Sequence, residues 1–171
     1  MIILEKIKIM LNKALEVLLS MTILSMVFVA VLGVFTRLIL KNQASFTTEF
    51  LRYALLWTSL FSAAYAFGEK GHISITFIKD KLKGKALIAV EVFTELMIIF
   101  FAIAILIYGG YKGMMMGMNE ISPTLGLRIG HIYSALPISG IFITFYSIIN
   151  LMNLFKDDKD APIDDGGIRT N

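Results

Sequence analysis

Three sets of residues have types and spacings that could do chemistry. Glu49 and Arg52 stand three apart, which on a helix places an acid and a base on one face, about one turn from each other. Glu91 and Glu95 stand four apart, again about one turn, inside an otherwise apolar run. Charges in such runs are costly and tend to mark functional positions. The two glutamates therefore suit either proton transfer or a polar anchor between helices. Arg52 suits either a pair with Glu49 or a side chain that snorkels to an interface. His72 and His131 are the only imidazoles, and two histidines can hold a haem iron if they approach each other. The serines have no histidine nearby in sequence, and no glycine-rich phosphate loop occurs. The chain is not expected to be an enzyme, and no catalytic, metal-ligating, substrate-binding or cofactor-binding residue is expected in it.

The elements that must position these residues are membrane helices. Hydrophobic residues make up 57% of the 171 and charged residues 17%, far from the balance of a soluble domain. The sixteen basic residues lie between apolar runs rather than in one patch, which argues against a nucleic-acid partner. With no cysteine, disulfide and thiol chemistry are excluded. Apolar runs long enough to cross a bilayer predict an all-α membrane protein with four transmembrane helices and short amphipathic interfacial helices. The predicted organisation is an amphipathic N-terminal segment over 1–13 and a four-helix transmembrane domain over 14–155. Its spans cover about 15–36, 50–67, 87–111 and 132–155, and a disordered tail follows over 156–171. The first run is too long for a signal peptide and lacks a small-residue cleavage site. In the loop after the second span, Ile75, Ile78 and Leu82 share a helical face, and a short interfacial helix is expected there. The loop 114–130 holds Pro123 and several glycines and is expected to be irregular.

Orientation follows from the basic residues. With four spans, both termini share a side with the Lys70–Lys85 loop, and that side carries eleven lysines and arginines. The other side carries Arg37, Lys41, Lys112 and Arg128. The termini are expected to be cytoplasmic. His72 and His131 then fall on opposite sides of a core about 30 Å thick and cannot share one iron. Glu95 falls about 12 Å inside the third span, at about 1.5 Å per residue from Leu87. Small residues at helical spacing, Ser59 and Ala63 on the second span and Gly109, Gly113 and Gly117 on the third, offer faces for close helix packing. Pro137 falls near the start of the fourth span, where proline is tolerated.

Several of these residues together resemble a family. Glu49-x-x-Arg52-Tyr53, then Trp57, Ala63-Ala64 and Gly71-His72-Ile73, are similar to the signature of the small membrane subunit of TRAP (tripartite ATP-independent periplasmic) transporters. Ser122-Pro123 and Leu136-Pro137-Ile138-Ser139-Gly140 resemble that family's closing segment, and the general look is similar to its sialic-acid type. Phe46 and Ser62 depart from the pattern, standing where tryptophan and glycine are common. The resemblance implies an accessory scaffold subunit in the bacterial inner membrane. It implies two partners, a large membrane subunit that moves organic acids with sodium and a periplasmic substrate-binding protein. Glu49, Arg52, Tyr53, Trp57, Ser59, Ala63, His72, Glu91, Glu95, Gly109, Gly113 and Pro137 are the structural or subunit-interface candidates. The glutamates keep an alternative open: a self-sufficient, proton-coupled small transporter working as a homo-oligomer.

Overall fold

The computed structural model describes residues 2–39, 45–69 and 85–160. Among them the regular structure is helical, apart from one isolated bridge between Ile121 and Arg128. Helix α1 (Ile2–Ile39) is followed by α2 (Ser45–Gly68) and α3 (Lys85–Phe101). The chain continues from α3 through a π-helical segment (Ala102–Gly109) into α4 (Gly110–Gly117), then forms α5 (Ile129–Tyr133) and α6 (Ala135–Asp160). Three stretches, Lys6–Ile39, Ala86–Gly117 and Ile129–Leu154, are long and apolar enough to cross a membrane. The fourth helix, α2, has 24 residues and so a length of about 36 Å, but Glu49, Arg52 and several hydroxyls make it more polar.

The elements differ from the expected boundaries for identifiable reasons. The N-terminal segment does not lie apart from the first span: α1 is one helix of 38 residues. No glycine or proline interrupts 2–32, so nothing in the sequence stops it. The third span does not end at 111. Ala86–Gly117 is 32 residues, about 48 Å, and exceeds a hydrocarbon core of about 30 Å, so it tilts or protrudes. Met114, Met115 and Met116 are good helix formers and prolong it into the segment expected to be irregular. The last helix runs past 155 to Asp160, two residues short of Pro162, so 156–160 are helical rather than part of a tail. The break between α5 and α6 falls at Ser134, because Pro137 has no N–H to donate to the Tyr133 carbonyl four residues back. The interfacial helix expected near Ile75–Leu82, His72, and the chain beyond 160 lie outside the described residues.

The packing order is α1 on α2, α2 on α6, and α6 on α3 and the π segment. Leu15 and Leu19 of α1 meet Phe61 of α2 and Tyr146 of α6 in one core cluster. Ala64, Ala102, Leu106 and Ile143 form a second. Phe67 and Phe142 pack against both, and the Phe61 ring lies 5.3 Å from that of Trp57 and 6.2 Å from that of Phe142, in tilted and edge-on geometry. The seam of α6 with the π segment and α4 closes to backbone distance. A methyl group placed on Gly140 would stand 2.8 Å from Leu106 Cβ and 3.2 Å from the Ala102 carbonyl oxygen. One placed on Gly110 would stand 2.7 Å from Leu136 Cβ and 3.1 Å from Pro137 Cδ.

Candidate functional site

The polar side chains gather at the two ends of the bundle. At the end formed by the start of α2, Glu49 does not pair with Arg52. Its Oε1 accepts from the Tyr53 hydroxyl at 3.2 Å, and its Oε2 accepts from the Thr124 backbone N–H at 3.1 Å. The Ser122 hydroxyl also donates to it, as does that of Thr124. Glu49 lies just outside the apolar run of α2. The Ser122 hydroxyl bond, ahead of those from Thr124 and Tyr53, outweighs partial desolvation and holds the carboxyl below the usual glutamate range.

The loop is shaped to present these donors. Ser122 is buried, gives its N–H to the Leu127 carbonyl at 2.9 Å, and accepts the Gly126 N–H at its own carbonyl at 3.0 Å. Gly126 closes the turn with φ +64°, the left-handed region that favours glycine. Arg52 is exposed and makes no hydrogen bond or ion pair with any described residue. The acid and the base lie one turn apart, yet they face different neighbours.

The opposite end, where α1 begins, holds a layer drawn from all four long helices. Asn150 of α6 is its hub. Its Oδ1 accepts from Lys8 Nζ of α1 at 3.4 Å, and its Nδ2 donates to the Phe67 carbonyl of α2 at 3.4 Å. Phe67 lies in the last turn of α2, where carbonyls have no partner within the helix, so Asn150 caps α2 from a neighbouring helix. Lys8 sits where the helix dipole favours a cation. One turn along, Asn12 Nδ2 donates to Glu69 Oε1 at 2.8 Å. The Asn12 carbonyl oxygen and the Tyr146 ring close over Gly68, leaving no room for a side chain there. Glu91 and Glu95, 6% and 2% exposed, lie inside the bundle on the α3 face that packs on α6. Antiparallel register places them near Asn150: Gly140 lies opposite Ala102–Leu106, so Asn150 lies opposite about residue 94.

The remaining candidates divide by face. Trp57 is partly buried against the first core cluster, and Pro137 abuts Gly110. Ser59 and Ala63 are exposed, and the Ser59 hydroxyl is returned to its own helix at the Leu56 carbonyl, 3.0 Å away. The glycine stripe splits. Gly117 packs at backbone distance on Gly130, whereas Gly113 has nothing within 4 Å and Gly109 meets only its own helix. The seam glycines are Gly110 and Gly140 instead. Sequence reasoning passed over Lys8, Asn12, Tyr146 and Asn150. An amide in an apolar span was the available signal for Asn150, because a buried amide needs partners.

These contacts bind helix to helix and loop to helix through hydrogen bonds and close packing. The sequence carries the same message. The family model described as the DctQ component of tripartite ATP-independent periplasmic transporters matches residues 26–157, which takes in α2, the Glu49-binding loop, the seam and Asn150. A Haemophilus influenzae protein described as a TRAP transporter small permease is 29% identical over 142 residues, 83% of this chain and 88% of that one. The sialic acid TRAP transporter small permease protein SiaQ of Vibrio cholerae is 27% identical over 121 residues, 71% of this chain and 69% of that one. With most of its length matched, the chain belongs to the DctQ component family of the tripartite ATP-independent periplasmic transporters.

Proposed function

We propose that the chain is the accessory scaffold subunit of a sodium-coupled TRAP transporter. In this reading a large membrane subunit moves an organic acid that a periplasmic binding protein delivers. The name of the Vibrio cholerae relative makes a sialic acid the first substrate to assay. The observation that carries the static role is the seam of α6 with the π segment and α4, shut at Gly110 and Gly140 with no space for even a methyl group. A machine that opens along its helix seams needs room or a sliding surface; this one is interlocked. The buried Asn150, Glu91 and Glu95 serve as anchors between helices. The chain lies in the bacterial inner membrane with both termini cytoplasmic, as the distribution of lysine and arginine favours.

Reconstitution tests this. Proteoliposomes holding only this chain should show no sodium-dependent uptake of sialic acid or a dicarboxylate. Adding the large subunit and the binding protein should produce uptake, and omitting this chain from that mixture should abolish it. Uptake by this chain alone would overturn the scaffold role.

A further inference from the structure

The third span changes pitch in its middle, and nothing in the local sequence asks for it. Ala102–Tyr108 is a run of alanine, aliphatic residues and one tyrosine, without the glycine, proline or charge that would disturb an α-helix. Yet Gly110 gives its N–H to the Ile105 carbonyl, five residues back, as a π-helix requires, and shares it with that of Ile107. π-helical turns are rare and occur mostly as single-turn bulges. This segment runs for eight residues, Ala102–Gly109.

The faces of the span show what the change of pitch does. Glu91, Glu95 and Ala102 are buried on the side that packs on α6. An unbroken α-helix would carry that face on to Gly109, eighteen residues and so five full turns from Glu91. Gly110 would then point about 100° away from Gly109. The structure has the reverse: Gly109 is exposed, and Gly110 is buried against Leu136 and Pro137. A turn closed five residues back takes up one residue more than a turn closed four back, so the π segment has set α4 round by about one residue. Gly117, two turns beyond Gly110, is carried with it onto Gly130, where an added methyl would stand 2.8 Å from the backbone nitrogen. The 118–128 loop that engages Glu49 starts from that contact.

We propose that the π segment is a one-residue register insert, which turns α4 so that Gly110 and Gly117 reach α6 and α5, and that those contacts hold it against the α-helical alternative. Neither slot admits a side chain, so the register has one solution. With one residue fewer between them, Ala102 and Gly110 stand seven apart, about two α-helical turns, and the segment closes to a plain α-helix with both glycines in place. With one residue more, Met116 arrives where Gly117 packs on the Gly130 backbone, and it does not fit.

The test is a set of length changes in the full chain, read by thermal unfolding in detergent. Deleting Ile105 should leave the melting temperature within about 3 °C of the unmodified value, because the seam survives. Inserting an alanine after Ile105 should lower it by at least about 5 °C or leave no folded protein. Deleting Phe93 of α3, 61% exposed where Ile105 is 54% exposed, should be as damaging as the insertion, since no π turn lies there to absorb it. In the chain lacking Ile105, Gly110→Ala should still lower the melting temperature by several degrees, and Gly109→Ala should not. Three results would each overturn the inference: an Ile105 deletion as damaging as the insertion, a Phe93 deletion tolerated equally well, or equal effects of the two glycine substitutions in the shortened chain.

Discussion

Adding one methyl group to the seam between α6 and the π segment should separate the packed glycines from the idle ones. At Gly140 the new carbon would stand 2.8 Å from Leu106 Cβ, 2.9 Å from Ile107 Cγ1 and 3.2 Å from the Ala102 carbonyl oxygen. Two of these atoms, a Cβ and a backbone oxygen, cannot rotate away. The helices must part by about 1 Å to restore ordinary carbon contacts of 3.5–4.0 Å, and a gap of about 0.5–1 Å already forfeits a quarter to a half of each neighbouring contact. Overpacking of this kind costs about 1–3 kcal/mol. At Gly113 the same methyl meets nothing within 4 Å. Both substitutions gain the same helix propensity, up to about 1 kcal/mol, and that gain cancels when they are compared. Thermal unfolding in detergent should place Gly140→Ala about 5 °C below Gly113→Ala, at about 2–4 °C per kcal/mol for a chain of this size. Equal melting temperatures, or the reverse order, would refute the tight seam.

Replacing Asn150 with leucine should leave the Phe67 carbonyl without its donor, costing about 1–3 kcal/mol and lowering the melting temperature by several degrees; an unchanged value would show that the cap is not needed. Glu49 should hold the 118–128 loop through neutral pH and release it in acid. Because folding depresses its pKa, the tie is complete above the unfolded value of about 4.3 and is lost as pH falls through the lower folded value. A spin label at Leu127 should therefore gain mobility as the pH is taken below that unfolded value, and with Glu49→Gln it should be mobile throughout; a label indifferent to Glu49→Gln would remove the tie. Changing both Glu91 and Glu95 to glutamine should leave most transport by the reconstituted three-component system intact, whereas complete loss with normal assembly would favour proton transfer. Single cysteines at Gly84 and Asn119 should be labelled by an impermeant reagent from opposite sides of the membrane; labelling of both from outside would overturn the four-span orientation.

Composition and the spacing of apolar runs sufficed for an all-α membrane protein, because a backbone in lipid must satisfy its own hydrogen bonds. The family resemblance was also legible in sequence, carried by short motifs in a fixed order along the chain. Helix ends were less legible: α1 absorbed the N-terminal segment and α6 ran on to Asp160, since amphipathic or charged residues do not by themselves stop a helix. Pairings across helices were not legible at all. Spacing alone put Glu49 beside Arg52 and grouped Gly109 with Gly113 and Gly117. A helix face, however, says only which side chains look the same way. The rotation of α2 against the 118–128 loop gave Glu49 to Ser122 and Thr124 and left Arg52 outside. The rotation of α4 against α6 chose Gly110 over Gly109, a neighbour on the chain but 100° away around the helix axis. Likewise Asn150 became a hub only because α2 ends beside it and α1 brings Lys8 within reach. Those choices depend on how whole helices are turned and offset, which no local stretch of sequence encodes.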